Sequence, residues 1–136
     1  MWYVPFGANW LIAVMATVHV FVSHFAIGGG LFLVLMEGSA QRHEDAGLRE
    51  WLKRHSRFFL LLTLVFGALT GVGIWFTIGL ISPEATSRLI RLFVWAWAVE
   101  WVFFLVEIMA ILVYYYTWDR LSAAAHRTVG WIYFGA

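Results

Sequence analysis

The chain has 136 residues, 62% of them hydrophobic and 12% charged, with a mean hydropathy of +0.80. A soluble domain is about half apolar and about a quarter charged, so this balance points instead to an integral membrane protein. The lack of cysteine excludes disulfides, thiolate metal sites, iron–sulfur clusters and thioether-linked haem, and a net charge of +1 gives no electrostatic reason to bind nucleic acid.

The first apolar run has no basic region before it and is too long for a cleavable signal. From Phe6 to Met36 there is no Lys, Arg, Asp or Glu, which predicts a first transmembrane helix over residues 6–36. The connection at 38–57 carries Arg42, Arg49, Lys53, Arg54 and Arg57, interspersed with acidic residues 44, 45 and 50. A second span covers 58–81 and ends at Ser82-Pro83; a third covers 92–117. At ~1.5 Å per residue each exceeds a ~30 Å hydrocarbon core, so some tilt is expected. WDRLSAAAHR then leads into a fourth helix from about residue 128, which stops after about two turns. The expectation is an all-α integral membrane protein: one transmembrane helical bundle of three full helices and the start of a fourth, up and down, incomplete at its C-terminus.

Basic residues orient it. The first and third connections hold most of them, the third through Arg120 and Arg127, and the second only Arg88 and Arg91. The positive-inside rule puts the N-terminus outside. Trp2, Tyr3 and Trp10 then belong to the outer interface, and Tyr114, Tyr115, Tyr116 and Trp118 to the inner one.

Ionisable residues fall at membrane depth. Glu100 and Glu107 lie on the third helix, each costing about 2.5–3.5 kcal/mol even on a mild insertion scale. His19 is ~20 Å into the first helix and Glu100 ~12 Å into the third, so uncertain helix ends allow them the same depth. Glu107 follows one heptad on, on nearly the same face and ~10 Å further in. A His and a Glu facing each other could bind one metal centre from both sides, with the second Glu on a route inward. Met15, Ser23, Ala26 and Gly30 share the stripe of His19; its small residues either leave a slot for a flat ligand or let helices pack closely. Gly67 and Gly71, with Thr63, Thr70 and Thr77, are read as packing first. His19 alone fits a structural hydrogen bond as well as a ligand. His24 lies ~140° away around the helix, outside that site. His43, His55 and His126 are expected to be solvated, near or in loops.

These residues carry a resemblance. His19 followed by Ile27-Gly28, the LMEG of 35–38, the G-x-x-TG of 67–71, the helix with two glutamates and the Tyr-rich stretch ending in Trp118-Asp119-Arg120-Leu121 come in the order seen in subunit I of the cytochrome bd quinol oxidases. The sequence resembles the N-terminal part of that subunit. The resemblance implies b-type haem, of open number and type, with His19 an axial ligand. It implies that Glu100 sits at the high-spin haem and that Glu107 serves proton delivery. It also implies quinol, membrane lipids and further helices or cytochrome subunits as partners, in the cytoplasmic membrane of a bacterium or archaeon. Two departures stand out: Trp75 occupies a place where the family has an acidic residue, and the two glutamates are seven apart rather than eight. The implied activity is quinol oxidation coupled either to oxygen reduction or to another cytochrome. The competing readings are a non-redox subunit with polar groups as interhelical glue, and a metal-free proton or ion pathway.

Overall fold

The computed structural model describes residues 7–136, so Trp2, Tyr3 and Phe6 lie outside the described residues. Every described element is a helix: α1 (Ala8–Arg42), α2 (Ala46–Ile81), α3 (Pro83–Leu92), α4 (Val94–Tyr116) and α5 (Ala123–Gly135). Three of them, α1, α2 and α4, are long and apolar enough to cross a membrane.

The helices outrun their apolar runs. α1 continues to Arg42, so its 35 residues span ~52 Å. It turns into α2 over only His43, Glu44 and Asp45, with Glu44 at a positive φ of 51°. Asp45 then caps α2, its Oδ1 accepting from the Leu48 N–H at 2.8 Å. Most of the expected 38–57 connection is therefore helix. Leu48, Leu52, Ser56 and Phe59 recur every three or four residues along it, and the last three are buried. The first turn of α3 begins on Pro83, where a missing N–H costs nothing, and Thr86 Oγ1 donates back to the Ile78 and Ser82 carbonyls at 3.0 Å. α3 buries none of its residues and was not expected from the sequence. α5 starts at Ala123, capped by Ser122, five residues before the expected start.

One irregularity sits inside the membrane-embedded part of α2. Leu62–Gly67 winds as a π-turn, with hydrogen bonds one residue longer than in an α-helix. Such turns shift the face that later residues present and recur at functional sites.

Packing is densest toward the basic end, where α1 and α4 finish and α2 and α5 begin. Leu33, Leu52, Phe59, Ile111, Tyr114, Trp118 and Tyr133 form its core. Glycine permits the closest approaches. A Cβ on Gly29 would run into the Phe59 ring, and one on Gly130 would meet Val34 at 2.7 Å and Tyr114 at 3.0 Å. At the rim, Asp119 joins α2 to the α4–α5 turn through Lys53 and, at 3.0 Å, Arg49. The hydrogen bond from Lys53, then that from Arg49, holds the Asp119 carboxyl below the ordinary carboxylate range.

Candidate functional site

His19 projects from α1 onto α2. Its Nδ1 lies 2.9 Å from Thr70 Oγ1. That hydroxyl gives its own proton to the Phe66 carbonyl at 2.6 Å, so toward His19 it can only accept. With the hydroxyl so engaged, Nδ1 is the nitrogen that donates to it and the unshared pair falls on Nε2, which has no hydrogen-bond partner among the described residues. Gly71 makes the contact possible, because a Cβ there would stand 3.1 Å from His19 Cε1. Of the two glycines in the α2 stripe, which was expected to serve packing, Gly71 is the one that seats the imidazole.

Two cavities meet at this ring. The first, about 190 Å³, is bounded by His19, Gly67, Gly71, Trp75, Trp97, Glu100, Trp101 and Phe104. The second, about 400 Å³, takes in His19, Ser23, Ala26, Thr63, Glu107 and Tyr133. They share His19, Gly67 and Phe104. Glu100 and Glu107 thus line neighbouring cavities on either side of one histidine. Thr63, inside the π-turn, meets the Tyr133 hydroxyl at 2.8 Å, so α5 closes the second cavity and half-buries Glu107. Nothing in α5 reaches Glu100, which stays exposed on the flank of α4.

The other histidines divide. His24 bonds the Val20 carbonyl at 2.8 Å on the outside of α1, away from both cavities. His43 bonds the Ser39 carbonyl at 2.9 Å, beside the α1–α2 turn. His55 is no loop residue: it lies within α2 and stacks on Trp51. His126 overturns the expectation of a solvated residue most sharply. It is 2% exposed, with Nε2 donating to the Tyr114 carbonyl and Nδ1 meeting Glu37 Oε1, each at 2.8 Å. Tyr114 O–H donates to Glu37 Oε2 at 2.8 Å and Gln41 to Oε1 at 2.9 Å. A signal for this cluster was present, since Ala26, Gly30, Leu33, Val34, Glu37 and Ala40 continue one buried stripe at helical spacing.

These features define a multi-pass all-α membrane protein in which a histidine and two carboxylates line neighbouring cavities. The family model for cytochrome bd terminal oxidase subunit I matches residues 8–136, and the chain belongs to that family. Membership makes it a subunit of a membrane respiratory oxidase, in a family that binds haem and uses quinol. No curated protein and no solved structure matches the chain.

Proposed function

We propose that the chain is a haem-binding electron-transfer subunit of a quinol-oxidising respiratory complex, with His19 an axial ligand of a b-type haem. One observation carries this reading: Thr70 meets His19 Nδ1, and Nε2 is left without a partner among the described residues beside a cavity that Glu100 also lines. The donor set fits the group. An imidazole nitrogen, a carboxylate and a glycine-lined helix surface suit axial ligation of a flat macrocycle. Among the described residues, no three His, Cys, Asp or Glu side chains gather as a bare ion would need.

When bound, haem supplies one-electron chemistry. The chain's own residues do the rest. Thr70 orients His19 through Nδ1, Gly67 and Gly71 clear the helix surface, and Trp75, Trp97 and Trp101 wall the first cavity. Glu107, beside the Thr63–Tyr133 hydrogen bond, holds and passes a proton. The exposed Glu100 flank receives further helices of the same complex, because a carboxylate at membrane depth needs a partner and none of the described residues gives it one. Seven of the nine Lys and Arg gather at one end, which supports an inner-membrane protein with its N-terminus outside.

The test is the reduced-minus-oxidised optical spectrum of the purified complex, before and after His19→Ala. The expected outcome is a b-type α-band in the wild type and the loss of one haem signal in a variant that still inserts. A featureless wild-type spectrum removes the redox reading, and unchanged haem content in His19→Ala removes the ligand assignment.

A further inference from the structure

A second site lies at the basic rim, away from both central cavities. The first half of α2 and the end of α4 enclose a bay of about 640 Å³, lined among others by Lys53, Arg54, Arg57, Tyr115, Tyr116 and Arg120. That volume lies within the ~300–1,000 Å³ usual for ligand pockets. Four basic and two acidic side chains line it, for a net charge of +2. The acids are already committed: Asp119 to Lys53 and Arg49, and Glu50 to Arg54 at 3.4 Å. Arg57 and Arg120 meet no carboxylate among the described residues.

The surroundings choose the ligand. Immediately beyond Arg57 the α2 surface turns apolar and exposed, with Phe58 at 47% and Leu61 at 50%. Tyr116 of α4, which lines the bay, is 64% exposed. A cationic bay bordered by tyrosines and opening onto a lipid-facing apolar wall matches an acidic headgroup joined to acyl chains. A soluble anion has no use for the wall. A zwitterionic lipid brings a cation of its own against the two free guanidinium groups.

We propose that this bay binds one anionic phospholipid, its phosphate between Arg57 and Arg120 and its acyl chains along Phe58, Leu61 and Tyr116. The site does not depend on haem. Each basic residue near the headgroup is worth about 1 kcal/mol, or about fivefold in affinity.

The experiment uses the assembled complex, delipidated in detergent and titrated with phosphatidylglycerol, phosphatidylcholine or inorganic phosphate, with bound lipid counted by native mass spectrometry. Phosphatidylglycerol is expected to bind the wild type in preference to phosphatidylcholine. Arg57→Gln combined with Arg120→Gln is expected to weaken it about 30-fold, and inorganic phosphate to compete poorly. Equal binding by variant and wild type, equal binding of the two lipids, or full competition by inorganic phosphate overturns the proposal. Photoactivatable phosphatidylglycerol on the wild-type complex gives a reading even if the double variant fails to assemble. Adducts are expected between residues 57 and 61 and between 115 and 120. Adducts confined elsewhere, including an occupied bay cross-linked only to a neighbouring subunit, overturn it equally.

Discussion

Thr70 decides what His19 can do. A neutral imidazole offers one unshared pair, and a partner on one nitrogen sends that pair to the other. Because Thr70 Oγ1 spends its proton on the Phe66 carbonyl, it holds Nδ1–H and frees Nε2. Thr70→Val keeps the shape but removes the acceptor, so the ring loses its fixed tautomer and orientation. The expected result is haem affinity about 10–100-fold lower, read as the haem-to-protein ratio, together with a shifted midpoint potential. Thr70→Ser, which keeps the hydroxyl, is expected to restore both. If the valine variant matches the wild type in ratio and potential, the hydrogen bond does not position the ring. His19 could be singled out from the sequence because an ionisable residue at membrane depth is rare. Its partner could not, since threonine at helical spacing in an apolar helix is ordinary, and only the packing of α1 on α2 tells which threonine meets the ring.

Among the elements, α1, α4 and α5 are pinned by the Glu37–Tyr114–His126 cluster, which has no contact with the central cavities. The Tyr114 hydroxyl, the Gln41 amide and the His126 ring all meet the Glu37 carboxyl at the point where these helices cross. Glu37→Gln replaces one of the two acceptor oxygens with an NH2, so Tyr114 O–H, Gln41 and His126 cannot all keep their partner, and a buried polar group left unpaired costs about 2 kcal/mol. Tyr114→Phe removes a single hydrogen bond, worth about 1 kcal/mol. In heat-inactivation of the purified complex, Glu37→Gln should therefore lower the midpoint by more than Tyr114→Phe does. The reverse order would place the strength of the joint in the tyrosine. Element limits were legible in one respect only. Hydropathy finds the length of helix that lies in lipid, but it does not find where the helix ends. Charges at 42–57 looked like a loop because they outweighed the Leu48, Leu52, Ser56 stripe beneath them. The same oversight hid α3, whose Pro83 start, Glu84 in the first turn and Arg91 in the last are ordinary helix signals.

At the scale of the whole molecule, depth arithmetic was enough to put His19 and Glu100 at similar depth with Glu107 further in, because straight helices turn sequence distance into height. It could not reveal that a π-turn re-aims α2 beneath His19, or that α5 covers one glutamate and not the other. That asymmetry separates their roles. Glu100 stands in the smaller cavity with the tryptophans, on a flank open to the rest of the complex. Glu107 stands in the larger one beside the Thr63–Tyr133 hydrogen bond, in a setting suited to passing a proton. Glu100→Gln keeps the volume but replaces an anionic donor with a neutral amide, so it should change the haem spectrum or occupancy. Glu107→Gln mimics the protonated carboxyl and removes only the exchangeable proton. It should leave the static spectrum nearly intact and slow quinol turnover by about 100-fold or more, the lower range of what a positioned proton carrier contributes. Spectra and turnover recorded side by side for the two variants in the complete complex decide the matter. A larger spectral change in Glu107→Gln than in Glu100→Gln reverses the two assignments, and no change in either makes both carboxylates structural.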